Sequence, residues 1–272
     1  MGRDMSRTRI FLALTVLAGT LLGGVTSGAP AQAASAERIG NDVSWPQCPA
    51  SGGVGYGLPM PGKSSKFVIV GLTRGRGFAP NPCVRWQVDH AKRRHLYTAA
   101  YAFTSYPTSA ELRRYGNSGP YRGSDPVTRL RNVGYRQAWF NVGTMRRAAL
   151  RTPIVWVDVE PSARRPWTKN TAYNAAVIEG VIRGYQKAGL KVGIYSTVYL
   201  WDQIAGTAEY GLPEWRTAGK RGYRVAQRRC AEESIQGGEA VLAQWWTSRV
   251  DYDLTCPGHG TIKGMTRYFR KY

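Results

Sequence analysis

Short apolar runs alternate along the chain with longer stretches in which apolar residues recur at helical spacing. Residues 67–72 are a nearly continuous apolar run, as expected for a strand buried on both faces, and residues 154–160 form the clearest strand. Residues 171–188 form the clearest helix, which begins at a Thr and Asn cluster and ends at Gly189. The other predicted elements are a short strand ending near Trp45, strands at 97–103, 191–195, 239–246 and 249–254, helices at 84–94, 109–115 and 126–150, and an irregular loop over 216–238.

Strands that alternate with helices indicate an α/β domain with a largely parallel sheet. The glycine-rich stretch 71–77 fits neither the dinucleotide nor the phosphate-loop spacing, so the pattern favours a barrel. We therefore predict a single TIM-like (β/α) barrel over residues 37–272. In such barrels the functional site lies at the carboxyl ends of the strands. The polar residues at those ends are Asp42, Thr73, Asp158, Glu160 and Asp251.

The first 36 residues are predicted to be a secretory signal peptide. Three arginines precede an apolar run over residues 10–25, and small-x-small cleavage sites follow at 31–33 and 34–36. The run is short for a membrane span and no basic stop follows it; an uncleaved anchor is the alternative. We expect cleavage near these sites and a secreted protein, since no later segment approaches the length of a span.

Four cysteines follow the predicted signal: Cys48, Cys83, Cys230 and Cys256. An even number in an exported protein predicts two disulfides with three possible connectivities, and a zinc site is the alternative. There is no Cys-x-x-Cys pair and the three histidines are scattered, so we expect no metal and no cofactor. Neighbouring strands precede Cys48 and Cys83, which predicts Cys48–Cys83 and, by exclusion, Cys230–Cys256. The second bridge would hold the 216–238 loop near the acidic strand ends.

Two acids, Asp158 and Glu160, lie two residues apart at the end of the strand predicted over 154–160. Because side chains alternate along a strand, both acids lie on the same face. On this strand that face points into the barrel mouth. Two close carboxyls do not both ionise easily, so one pKa should rise. A carboxyl that stays protonated near neutral pH suits a general acid. The alternative is a pair of solvated acids at a strand end.

Several short motifs occur in a fixed order along the chain. They are Asp42-Val43-Ser44-Trp45-Pro46-Gln47, Phe67-Val68-Ile69 with Thr73 and Gly75, Ala100-Tyr101-Ala102-Phe103, Val157-Asp158-Val159-Glu160, Gly193-Ile194-Tyr195-Ser196, Pro213-Glu214-Trp215, Gln244-Trp245 and Val250-Asp251-Tyr252-Asp253. Their order and spacing resemble glycoside hydrolase family 25, the lysozyme-type muramidases.

The resemblance implies an irregular barrel of about five βα units with some antiparallel strands, related to the general βα barrel. It also implies cleavage of the β-1,4 bond between N-acetylmuramic acid and N-acetylglucosamine. Carried over residue by residue, it makes Glu160 the general acid and gives Asp158 the task of holding or stabilising the reacting sugar. Asp42 and Asp251 would complete an acidic ring.

Three positions depart from the family's pattern. Arg74 stands where the family usually has Glu, Ala102 where it often has His, and Asp253 where it has the closing Asn. These departures suggest a different glycan, or a domain that binds glycan without cutting it.

Aromatic side chains near strand ends are candidate sugar contacts, because ring faces stack on sugar rings; core packing is the alternative. With the resemblance they give the predicted substrate-binding residues Trp45, Gln47, Tyr101, Tyr195, Trp245 and Asp253.

The formal net charge of +21 favours anionic partners outside the cell, such as wall teichoic acids, lipid surfaces or free DNA. A solvated basic surface without a partner is the alternative. No nucleic-acid-binding motif is present, so we expect no specific nucleic acid.

The sequence therefore predicts a secreted peptidoglycan hydrolase, associated with the cell wall, that acts through Glu160 and Asp158. A non-catalytic wall-binding relative and a hydrolase of another polysaccharide are the alternatives. We expect no transmembrane segment in the mature chain.

Overall fold

Strands and helices alternate along the part of the chain that the computed structural model describes, residues 37–162 and 166–272. The strands are β1 (Ile39–Val43), β2 (Phe67–Gly71), β3 (Tyr97–Phe103), β4 (Ile154–Asp158), β5 (Lys191–Ser196), β6 (Glu214–Thr217), β7 (Ala240–Trp246), β8 (Asp251–Thr255) and β9 (Arg270–Lys271). The helices are α1 (Val84–Arg93), α2 (Ser109–Tyr115), α3 (Pro126–Arg147), α4 (Thr171–Lys187), α5 (Val198–Ala205), α6 (Tyr223–Arg229) and α7 (Ile262–Tyr268). None of these helices has the length and hydropathy of a membrane span. The predicted signal peptide lies outside the described residues.

The first eight strands close into a barrel. Around the ring their order is β2-β1-β8-β7-β6-β5-β4-β3, and β3 pairs with β2 to complete it. Strands β1 to β7 are parallel, whereas β8 is antiparallel to β7 and β1, and β9 adds an antiparallel pair to β3. This confirms the predicted α/β barrel with antiparallel late strands. We call the end where the parallel strands finish the mouth, and the opposite end the floor.

The period of two along each strand separates two cores. On β4, Ile154 and Trp156 pack inside the barrel, while Val155 and Val157 pack against the surrounding helices. Gly193 on β5 gives the Trp156 ring its space, because a Cβ there would collide with it. The barrel is therefore filled below its mouth, and the open space that remains is at the strand ends.

The helix pair α3 and α4 forms the largest part of the outer layer on one side. Each helix begins at a side-chain cap: Asp125 accepts from the Thr128 amide, and Asn170 accepts from the Tyr173 amide. Gly134 allows the two helices to approach closely, since a Cβ there would collide with the carbonyl of Val177.

The structure corrects the predicted elements at three places. Residues 216–238, predicted as an irregular loop, contain the end of β6 and helix α6. The sequence pattern gave no sign of this helix, because Ala226 is its one buried residue. Helices α5 and α7 were not predicted. Helix α7 carries no long apolar stripe, yet it buries Met265 and Tyr268 against the barrel floor.

Both predicted disulfides are present, Cys48–Cys83 and Cys230–Cys256, with Cα atoms 5.8 and 5.4 Å apart. The first joins the turn after β1 to the residue before α1, at the mouth. The second lies at the floor, because Cys256 follows the end of β8 that is opposite to Asp251. The expectation that this bridge lies near the acidic strand ends is therefore wrong.

Candidate active site

A cavity of about 310 Å³ opens at the barrel mouth. Its lining residues are Asp42, Tyr101, Asp158, Glu160, Tyr195, Trp215, Gln244, Trp246 and Asp251. The four acids predicted from the sequence thus meet in one place, together with two of the predicted aromatic contacts.

Strand register explains why these side chains meet. Asp42 on β1 is directly opposite Asp251 on β8, which in turn is opposite Trp246 on β7. On the other side of the barrel, Asp158 is opposite Tyr195. Residues paired across neighbouring strands share a face, so these side chains all point to the barrel interior.

Gln244 connects the two sides of the cavity. Its Nε2 donates to Asp42 Oδ2 at 2.9 Å, while its Oε1 accepts from the hydroxyls of Tyr195 at 2.8 Å and Thr217 at 2.9 Å. The two donors fix the orientation of the amide, so its NH₂ group faces the Asp42 carboxylate. Gln244 thereby holds Asp42 in place.

Asp253 lies beneath the cavity and does not line it. Its side chain is fully buried, and Oδ1 accepts from Trp215 Nε1 at 2.8 Å. Oδ2 has no hydrogen-bond partner among the described residues. Burial, followed by the charge of Asp42, raises the pKa of Asp253 well above its usual value.

Among the described residues, the cavity lining contains four carboxyl groups and no basic side chain. Burial and then the charge of Asp251 raise the pKa of Glu160 to about 7, and burial raises the pKa of Asp251 to about 6. Burial also raises the pKa of Asp158 and of Asp42, with the neighbouring acids adding to the effect. A site of this kind holds at least one carboxylic acid in its protonated form near neutral pH.

Glu160 and Asp158 differ in their surroundings. Asp158 is buried and its Oδ1 has no hydrogen-bond partner among the described residues, whereas Glu160 is half-buried at the cavity wall. The Trp167 indole donates to the backbone carbonyl of Glu160 at 3.0 Å, and this bond fixes the chain just after β4. Glu160 is thus the more accessible of the two acids and has a pKa suited to donating a proton.

Besides Asp253, three of the predicted contact residues do not line the cavity. Trp45 packs its ring edge against Tyr56, with centroids 5.0 Å apart. Gln47 is buried, and its Oε1 accepts from the Ser44 amide at 2.8 Å. Trp245 faces the outside of the sheet, where it stacks on Tyr252 at 5.2 Å.

Sequence reasoning missed Trp215, Gln244 and Trp246 as lining residues. The period of two on β7 contained the signal, because Gln244 and Trp246 share one face and Trp245 takes the other. On β6 the bulge between Glu214 and Trp215 obscures the same rule.

Two of the three departures noted in the sequence lie away from the cavity. The Ala102 side chain points outward and packs in the layer that contains Val155 and Val157. The Arg74 guanidinium is 5.9 Å from the centroid of the Trp45 ring. Neither residue lines the cavity. Within residues 37–162 and 166–272, no cluster of His, Cys, Asp and Glu is arranged to hold a metal ion.

Comparison with known proteins finds similarity to lysozymes and lysozyme-like proteins, in sequence over parts of the chain and in fold over most of it. The family described as Lysozyme-like protein 1 matches residues 125–216. Lysozyme-like protein 2 of Caenorhabditis elegans is 25% identical over 147 residues, which cover 54% of this chain and 45% of the relative. A Dictyostelium discoideum protein named Probable GH family 25 lysozyme 4 is 34% identical over 64 residues, 23% of this chain and 29% of the relative. The chain thus spans less than half the length of these curated relatives.

The solved structures show the same fold at low identity. A family GH25 lysozyme from Aspergillus fumigatus superposes with a TM-score of 0.54 at 14% identity, over 85% of this chain and 98% of that one. Its architecture agrees with the closed barrel described above. The chain is thus similar in sequence, over parts of its length, to lysozyme-like proteins, and similar in fold to a glycoside hydrolase family 25 lysozyme.

Proposed function

We propose that the protein is a secreted glycoside hydrolase that cleaves β-1,4 bonds in bacterial cell-wall peptidoglycan. The observation that carries this proposal is the pair Asp158 and Glu160 in one acid-lined cavity, with a Glu160 pKa of about 7. The two disulfides support an extracellular location, because such bonds persist in oxidising compartments.

Glu160 is the general acid in this proposal. At neutral pH a carboxyl group with a pKa near 7 is about half protonated, so it can donate to the glycosidic oxygen as that bond breaks. After the leaving sugar departs, the same carboxylate can accept a proton from an attacking water.

Asp158 stabilises the positive charge that develops on the reacting sugar in this proposal. The transition state of glycoside cleavage carries positive charge at the anomeric carbon. In its ionised form, the buried Asp158 carboxylate beside that carbon lowers the barrier electrostatically. Asp42, fixed by Gln244, and Asp251 extend the negative field around the same position.

Aromatic side chains complete the proposed sugar site. Tyr101, Tyr195, Trp215 and Trp246 line the cavity with the acids. Trp246 belongs to the end of β7 and is only half-buried. Lys220 Nζ lies 5.0 Å from the centre of its ring, and in this proposal a sugar stacks on the other face of the ring.

Release of soluble sugars from purified peptidoglycan tests this function. Glu160→Gln keeps the size of the side chain and removes the acid, so we expect release to fall by about 10²–10⁴-fold. Glu209→Gln, a change at an exposed glutamate outside the cavity, should release sugars at the wild-type rate. Wild-type release should also decline above about pH 7, as Glu160 loses its proton.

Equal release by the wild type and Glu160→Gln would contradict the assignment of Glu160. If neither released sugars while both sedimented with the walls, the alternative of a non-catalytic wall-binding domain would replace the proposal. The positions of Arg74 and Ala102, both outside the cavity, support the catalytic function over that alternative.

A further inference from the structure

A second cavity lies at the floor of the barrel, opposite to the candidate active site. It has a volume of about 310 Å³. It is lined by Arg38, Lys66, His95, Tyr97, Gly260, Ile262, Met265 and Lys271. The topology places basic residues here, since Arg38 and Lys66 directly precede β1 and β2, and Lys271 lies on β9, opposite Tyr97.

No carboxylate compensates these charges. The lining contains none, and within the described residues no ion pair involves Arg38, Lys66, His95 or Lys271. The Arg38 Nε donates to the carbonyl of Gly260 at 3.1 Å. This bond holds the guanidinium against Gly260, which itself lines the cavity. Lys271 Nζ lies 5.6 Å from the centre of the Tyr97 ring. The basic groups are therefore held at the cavity without being neutralised.

The described linings of the two cavities thus carry opposite charge, acidic at the mouth and basic at the floor. Carboxyl groups gather at the mouth, while the segment 257–272, which crosses the floor, contains Lys263, Arg267, Arg270 and Lys271 and no acid. A phosphate group is therefore attracted to the floor cavity and repelled by the acid-lined cavity at the mouth.

The cavity also has an apolar side. Tyr97 and Met265 belong to the wall, and Ile262, a residue that is 73% exposed, lies at the rim. A ligand that fits must combine an anionic group with a short carbon segment.

We propose that the floor cavity binds a phosphodiester unit of a linear anionic wall polymer of the polyol-phosphate type. Arginine and lysine together suit a phosphate, the first through a planar fork and the second as a point charge. Duplex DNA is too wide and stiff to enter a cavity of this size, and a lipid headgroup layer would contact only its rim. The polymer's location in the wall rests on the proposed function, but the binding itself does not.

Binding at the floor leaves the mouth unobstructed. The protein would be retained on the anionic polymer through one end while the other end meets the glycan strand. Retention and hydrolysis are therefore separable properties of the same molecule.

Two helices of the chain provide a matched test of this site. Ile262 is the first residue of α7 after the cap Thr261, and Val198 is the first residue of α5 after the cap Thr197. Both are exposed, and an aspartate is favourable in the first turn of a helix, so Ile262→Asp and Val198→Asp should both fold. Each change lowers the net charge by the same amount, one at the floor and one at the mouth.

The measurement is binding of the purified wild type and both variants to poly(glycerol phosphate) at several salt concentrations. We expect Ile262→Asp to lower the affinity by about tenfold through repulsion at contact. Val198→Asp should lower it by less than about twofold, because salt screens charges beyond a Debye length. Wild-type affinity should fall as salt rises.

Equal losses in the two variants would mean that diffuse charge, and no particular cavity, binds the polymer. Tighter binding to duplex DNA or to vesicles of anionic phospholipid, with the same sensitivity to Ile262→Asp, would replace the proposed ligand. The proposal predicts that Ile262→Asp releases sugars from polymer-free peptidoglycan as the wild type does. If neither the wild type nor the two variants released sugars, the proposed function would be wrong, while the proposal of polymer binding at the floor would be unaffected.

Discussion

At the scale of single residues, the acids of the barrel differ according to what their neighbours donate. Asp42 receives a hydrogen bond from Gln244, and Asp253 receives one from Trp215, while Asp158 Oδ1 has no partner among the described residues. Uncompensated burial favours the protonated form. Of these acids, Asp253 is the one whose neutral form can replace the family's asparagine, since a neutral carboxyl and an amide each offer one acceptor and at least one donor.

The variant Asp253→Asn tests whether Asp253 is neutral in the native protein. The amide keeps an acceptor for the Trp215 indole and a donor on its other side, so we expect hydrolysis to stay within about threefold of the wild type. We also expect a higher Tm at pH 7.5, because no buried carboxyl then has to remain protonated.

Asp253→Leu is the contrasting change. It removes the acceptor and leaves a buried indole N–H without a partner, which costs about 1–3 kcal/mol. Thermal unfolding and sugar release of both variants give the comparison. A large loss of activity in Asp253→Asn with the fold intact would show that the ionised form of Asp253 is required.

At the scale of elements, close contact between α3 and α4 fixes one side of the outer layer. Gly134 faces the carbonyl of Val177, and Gly180 faces the carbonyl of Arg131 across the same contact. These glycines leave no room for a side chain. Gly143 lies in the same helix α3, yet a Cβ there would meet only the flexible end of Arg147.

Alanine substitutions at Gly134 and Gly143 should therefore have opposite effects. Gly134→Ala should lower the free energy of unfolding by about 1–3 kcal/mol through overpacking against the backbone of α4. Gly143→Ala should raise it by about 0.5–1 kcal/mol, because alanine is the better helix former. Chemical denaturation measures both, and a stabilised Gly134→Ala would show that the two helices separate easily.

At the scale of the whole molecule, the acidic mouth couples stability to pH. Each raised pKa means that the native state binds more protons than the unfolded state between the ordinary and the raised value. Stability from these groups is therefore fully present below about pH 4 and is lost as the pH rises through about 6 to 7. The acids gathered at the mouth thus destabilise the fold at neutral pH.

Thermal unfolding across this range tests the coupling. The change from 4.5 to about 7 for Glu160 corresponds to about 3 kcal/mol, and 1 kcal/mol shifts the Tm of a protein of this size by about 2–4 °C. We expect Glu160→Gln to match the wild type near pH 4.5 and to exceed its Tm by several degrees at pH 7.5. The control Glu209→Gln should follow the wild type at both values. A Tm difference between Glu160→Gln and the wild type that did not change with pH would exclude this linkage.

Much of the fold and part of the site could be predicted from local pattern. The strand over 154–160 and the helix over 171–188 were recognisable because period and capping are local signals. Helix α7 was missed, because its burial comes from the barrel floor and not from its own apolar stripe. Trp246 was missed for a related reason, since the face of a residue depends on the register of β7 with β8.

By itself, the sequence determined the order of elements, the two acids at the end of β4 and the excess of basic residues, because these depend on neighbours along the chain. It also determined the disulfide between Cys48 and Cys83, since consecutive parallel strands bring their ends together. Only the tertiary structure decided which side chains share the barrel interior, because ring closure and register act between residues far apart in sequence. The same closure placed the acids at the mouth and the basic residues Arg38, Lys66 and Lys271 together at the floor.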